Sequence, residues 1–161
     1  MSERRIASDI LAVAVISAAG SFANGGLAPI LGQIAADFSV SFTALGVLTA
    51  GFAFARVIFD LPAGTLADRI HPRTMFYVAA VVAVVGGVVA TVAPTFSVLV
   101  GGRVIQGVGV TLTLFAATAY IGRRARPDER GRMMGVANAA NPVAELLAPL
   151  TVGLASAVLG W

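Results

Sequence analysis

Four ionisable residues stand inside otherwise apolar runs of this chain: Arg56, Asp60, Arg103 and Glu145. Their formal charges cancel. A carboxyl group shielded from water favours its protonated form and can carry a proton, whereas arginine stays charged and stabilises the anion of any acid that approaches it. That division of roles suits proton-coupled movement of a solute, with Arg103 tuning an acid and Glu145 or Asp60 carrying the proton. Arg56 and Asp60 are four residues apart on one helical face and can pair within the helix. Ten Leu, Ile, Val or Phe residues lie between Leu45 and Leu66. On an insertion scale they contribute about 3–6 kcal/mol, against about 5–7 kcal/mol for two central charges. Such a helix is marginal in lipid and is expected to turn Arg56 and Asp60 towards protein or water. The pair can also serve packing alone.

Other chemistries lack their residues. There is no cysteine, so no disulfide or thiolate metal site can form, and the single His71 cannot build a histidine metal cluster. No nucleophile has a plausible base and no phosphate loop is present, so neither an enzyme nor a bound cofactor is expected.

The elements that must position these groups are membrane helices. With 161 residues, 58% hydrophobic, 12% charged and a mean hydropathy of +0.90, the chain has too few polar residues to cover a water-soluble globule. The expected class is all-α integral membrane, with the lipid bilayer as its surroundings. A hydrocarbon core of about 30 Å needs roughly 20 helical residues. Five segments meet that length: 10–31, 44–67, 75–93, 97–120 and 133–158. The first is longer than a signal-peptide core and lacks a small-x-small cleavage site, so it reads as an uncleaved span. All the positive charge is arginine, and its placement is uneven. Arg4 and Arg5, then Arg69 and Arg73, then "RRARPDERGR" from Arg123 to Arg132 fall on one side, while "DFSVSFT" and "PTFS" on the other carry none. The positive-inside rule then places the N-terminus in the cytoplasm and Trp161 near the outer face. These arginines are a topology signal, and no nucleic-acid partner is expected.

Two spans carry polar stripes. Ser17, Ser21 and Asn24 lie on one face of the first, and Asn138, Asn141 and Glu145 on one face of the fifth. Such stripes either hydrogen-bond neighbouring helices or line a water-filled cavity, where Asn24, Asn138 and Asn141 would offer hydrogen bonds to a small-molecule substrate. The third span contains almost nothing polar and is expected against lipid, with Gly86 and Gly87 permitting one close helix contact. Asp9 and Asp37 are expected to mark helix ends, Asp128 and Glu129 to cap the fifth helix or balance nearby arginines, and His71 to lie in a surface loop.

The string "GTLADRIHPRTMF" resembles motif A of the major facilitator superfamily, G-x-L-a-D-r-x-G-r-k-x-x-l, which sits between the second and third helices. Gly64, Leu66, Asp68 and Arg69 match, and Arg73 falls on a basic position. His71 replaces the second glycine and Pro72 a basic residue, which bears on how the segment turns, because proline fixes φ and histidine disfavours positive φ. "LVGGRVIQGVGV" resembles motif B on the fourth helix, l-x-x-x-R-x-x-q-G-x-g, with Leu99, Arg103, Gln106, Gly107 and Gly109 in register. The antiporter motif of the fifth helix, g-x-x-x-G-P-x-x-G-G, is loosely matched by "AELLAPLTVG". Pro149 and Gly153 are kept, and Ala144, Ala148 and Val152 stand at glycine positions. Pro142 and Pro149 are expected to kink that helix.

The resemblance implies a twelve-helix fold of two six-helix halves, each made of inverted three-helix repeats, with the substrate site between the halves. Residues 1–161 would be an incomplete N-terminal half with five transmembrane helices. Their expected partner is the missing C-terminal half, the chain being a fragment of a longer transporter, a truncated gene product or a small protein that must assemble with a complement. The resemblance further implies proton-coupled efflux of a small solute by alternating access, through the inner or plasma membrane. Motif A, with Asp68 set at a helix N-terminus of the other half, would be a releasable cytoplasmic latch, and Gln106, Gly107 and Gly109 would serve helix packing. The alternatives are a proton-coupled symporter for sugar or metabolite uptake, and a non-transporting membrane interaction protein.

Overall fold

The computed structural model describes residues 11, 14–15, 18–22 and 24–159, and the regular structure among them is helical throughout. The described residues between 11 and 25 belong to a first helix, α1. A 3-10 turn at Ala28–Ile30 follows, then α2 (Leu31–Asp37), α3 (Phe42–Arg69), α4 (Pro72–Thr91), α5 (Phe96–Arg124) and α6 (Arg130–Leu159). Among the described residues, α3, α4 and α5 are long and apolar enough to cross a membrane. The expectations for Arg4, Arg5, Asp9, Ser17 and Trp161 fall outside the described residues.

The first expected span, 10–31, is corrected. The helix tightens after Gly25, where Leu27 N–H donates to Asn24 O at 3.3 Å and Ile30 N–H to Leu27 O at 3.1 Å. Pro29 has no N–H to extend the regular ladder. Helix then resumes to Asp37, which does end its element. Beyond it, Val40 N–H reaches Ala35 O at 3.0 Å and Ser39 N–H reaches Ala36 O at 3.2 Å. This pair of bonds closes the helix with Ser39 at φ 51°, a left-handed position that usually takes glycine.

The other boundaries follow capping chemistry. Ser41 caps α3, its side chain accepting from Ala44 N–H at 3.3 Å. "GTLADR" is helical, so motif A is not a loop up to Arg69; only Ile70 and His71 separate α3 from α4. Proline at 72 disfavours helical geometry at the residue before it and starts the next helix at its first position. His71 has φ −66° and accepts from Arg73 N–H through Nδ1 at 3.3 Å. The glycine-to-histidine departure therefore demands no positive φ, and His71 acts as an N-cap. Thr95 opens α5 in the same way, accepting from Val98 N–H at 3.4 Å. α6 continues as one helix through Pro142 and Pro149.

The structure divides into two compact units. The larger comprises residues 31–120. Within it, large side chains such as Val57, Leu61, Tyr77 and Val81 are exposed, while Ala55, Ala63, Ala67, Ala79 and Ala116 are buried. Lipid is as apolar as leucine, so helices gain by close van der Waals approach, which small residues allow. A methyl group on Gly86 would lie 2.6 Å from Gln106 N, one on Gly102 2.7 Å from Ala90 N, and one on Gly109 2.8 Å from Ala83 N. This register makes α4 and α5 antiparallel. Gly51 faces Val100 and Val104, Gly107 faces Phe52 and Ala55, and Gly64 faces Phe115, so α3 and α5 run parallel. An alternating up-and-down chain requires both relations. α4 combines this close contact with an outer face of exposed Tyr77, Val81, Val84 and Val88, as expected for the third span.

The smaller unit comprises the described residues before Leu31 and those from Ile121 on. A methyl on Gly25 would sit 2.7 Å from Glu145 O and 3.1 Å from Ala148 Cβ, and one on Gly26 would sit 3.1 Å from Val152. α1 and α6 therefore run parallel in close contact. Arg130 Nε donates to Ala125 O at 3.3 Å, tying the start of α6 to the turn that leaves α5. Asp128 balances Arg126 at 3.5 Å, an exposed pair, as expected.

Two substitutions test this account. Gly107→Ala drives a methyl to 2.5 Å from Phe52 O and should destabilise the protein by about 1–3 kcal/mol, whereas Gly101→Ala enters open space and should be neutral or stabilising by about 0.5–1 kcal/mol. Thermal unfolding in lipid nanodiscs separates them, and equal losses would refute the packing model. Ser39→Gly should raise the melting temperature, relieving a left-handed conformation that costs about 1–2 kcal/mol.

Candidate functional site

In the larger unit, the N-terminal half of α5 carries Arg103, which is 4% exposed. A central arginine costs about 2.5–3.5 kcal/mol on an insertion scale, so its neighbours matter. Its Nη1 donates to Gln106 Oε1 at 2.9 Å, one turn along the same helix. Its Cζ lies 5.0 Å from the centroid of the Phe52 ring on α3. A hydrogen bond from a charged donor contributes about 1.5–3 kcal/mol and a desolvated cation–π contact about 2 kcal/mol. Together the two are large enough to offset burial.

Each contact depends on a close approach of helices. Gly107, one turn beyond Arg103, lets the α3 backbone come in at Phe52 and Ala55, which sets the ring beside the guanidinium. Gly86 lies against Gln106 N and Cγ, and a methyl on Gly87 would be 3.3 Å from Gln106 Nε2. Gln106 is therefore backed by α4 while its oxygen turns to Arg103. Of the motif B residues, Gln106 and Gly109 face α4 and Gly107 faces α3.

Arg56 and Asp60 do not pair. Arg56 is half-buried, Asp60 is exposed, and no ion pair joins them among the described residues. Arg56 stands N-terminal to Asp60, the less favourable order of charges for an i, i+4 pair. The motif A residues line the C-terminal end of α3 and the start of α4. Gly64 is against the Phe115 ring, Leu66 packs on the buried cluster around Ala63, Met75 and Leu112, and Asp68, Arg69 and Arg73 are exposed.

The smaller unit brings Asn24 and Glu145 to one level, since Gly25 abuts the Glu145 backbone. Asn141, one turn earlier on α6, has a buried Oδ1 with no hydrogen-bond partner among the described residues. Asn138 and Glu145 are exposed, and Ser21 is buried. Arg103 and Glu145 belong to different units. At the antiporter-like positions, Ala144 and Ala148 are buried, and the glycine that permits close contact is Gly25 on α1. The departure from glycine on α6 is matched by glycine on the helix it packs against.

Sequence reasoning missed Phe52, Gly102 and Gly25. The "NGG" string beside Asn24 carried a signal for Gly25; nothing linear ties Phe52 to a residue some fifty positions on.

A profile of the Major Facilitator Superfamily matches residues 11–161. Among curated relatives, D-xylose-proton symporter-like 1 of Arabidopsis thaliana is 37% identical over 99 residues, covering 62% of this chain and 20% of the relative. The multidrug resistance protein B homolog of Mycobacterium tuberculosis is 27% identical over 126 residues, covering 78% of this chain and 23% of the relative. In fold, the chain is similar to a bacterial homolog of the human lysosomal transporter Spinster, crystallised inward-facing and unoccupied. The TM-score is 0.89 at 21% identity, over 96% of this chain and 32% of that one. The chain thus spans about a fifth to a third of the length of the proteins it matches. With motifs A and B in register and the profile matching nearly its whole length, this chain belongs to the major facilitator superfamily, as a multi-pass, all-helical membrane transporter sequence.

Proposed function

We propose that the chain is the N-terminal bundle of a carrier that exports a small solute by alternating access, driven by protons. The observation that carries this reading is a buried arginine within an apolar helix, held by the neutral Gln106 and Phe52. A charge kept at membrane depth marks a substrate or proton path. In this reading Arg103 tunes an acid, Glu145 or Asp60 carries the proton, and Asn24, Asn138 and Asn141 offer hydrogen bonds to the solute. Gly64, Leu66, Asp68, Arg69 and Arg73 form the latch. It closes the cytoplasmic face against a complementary bundle, the C-terminal half, with the N-terminus in the cytoplasm and the carrier in the inner or plasma membrane. The chain performs no chemical conversion.

The mycobacterial relatives named for multidrug resistance support export. Uptake by proton symport is the second reading, favoured by the Arabidopsis relatives named as D-xylose-proton symporter-like.

Proton-coupled flux in proteoliposomes, with a drug and sugar panel, tests both. The chain is compared alone and with a complementing C-terminal bundle. Arg103→Ala should abolish coupling and leave membrane insertion intact; normal coupled flux in that variant would remove the role given to Arg103. The sign of solute movement down an imposed proton gradient separates export from uptake.

A further inference from the structure

The Arg103 guanidinium is met from its own helix and from α3. Gln106 approaches from one side, backed by Gly86 and Gly87 of α4, and the Phe52 ring from the other, brought in by Gly107. Phe52 is 5% exposed and Arg103 is 4% exposed, so water does not compete strongly for either. Both named contacts are neutral.

The ring is the less replaceable of the two. An aliphatic side chain of similar size would fill the space on α3, and it has no negative face to attract a cation. We propose that Phe52 is a positioning residue for Arg103: its ring face, with Gln106, holds the guanidinium in the one orientation from which it acts on the proton-carrying acid. This rests on the coupling role proposed for Arg103. Because Phe52 sits on α3 and Arg103 on α5, the orientation of the charge is tied to the α3–α5 spacing. A movement that separates these helices would take the ring away from the guanidinium.

The test combines an energetic cycle with a functional profile. Thermal unfolding of the full chain in nanodiscs is measured for wild type, Phe52→Leu, Arg103→Met and the double variant. Stacking predicts that the double variant loses less melting temperature than the sum of the single losses; additive losses would reduce Phe52 to packing and overturn the proposal. The pH profile of coupled flux is then compared in the assembly that transports. Phe52→Leu should move the midpoint to higher pH, because a loosened guanidinium stabilises the anion less, and Phe52→Tyr, which keeps the ring, should retain the wild-type profile. An unmoved midpoint in Phe52→Leu, with a non-additive cycle, would also overturn the proposal. If the cycle is non-additive and wild-type flux is independent of protons, the coupling reading fails and takes the positioning role with it, leaving a stacked pair that only packs.

Discussion

Apolar helices in a bilayer gain little by exchanging lipid for one another, so the contacts between them must come from atoms brought unusually close. That constraint organises this protein. Gly86 and Gly102 join α4 to α5, Gly107 joins α5 to α3, and Gly25 joins α1 to α6, each where a single methyl would strike backbone. Many large aliphatic side chains lie on the outside, and alanines fill much of the interior beside Leu48, Met75 and Ile121. The pattern follows from the solvent, because valine and leucine satisfy lipid while small residues admit a neighbouring helix.

The same contacts build the charged site. Arg103 is tolerable in its helix because Gln106 and Phe52 meet it, and both are placed by glycines of the packing seam. Packing and chemistry therefore share residues. Gly107 belongs to the α3–α5 interface and sits one turn from the arginine. A family motif that looks like a string of glycines around an arginine is, in three dimensions, a charge and the seam that holds it.

The segment between α3 and α4 shows a different economy. Two residues reverse the chain, Ile70 and His71, with the backbone N–H of Ile70 returned to Leu66 O at 2.9 Å and the next helix capped by histidine. Because the turn is so short, Asp68, Arg69 and Arg73 are presented from helix ends and not from a loose loop. Charged groups fixed in this way can meet a partner surface with little conformational entropy lost. The smaller unit is built on parallel contact between α1 and α6, and it sets Asn24 level with Glu145.

What the linear sequence determined was the all-helical membrane class and the family, because runs of about 20 apolar residues and motif spacing are local properties. Motifs A and B and the buried Arg103 were legible at that level. Helix ends were less so. They depend on caps such as Ser41, His71 and Thr95, and the break after Gly25 depends on a proline four residues on. Tertiary structure alone decided which polar groups meet. Arg56 and Asp60 share a face in sequence and stay apart, since spacing permits an i, i+4 contact without requiring it. Phe52 and Arg103 are distant in the chain and touch, because the register between parallel helices is set by where glycine lets two backbones close.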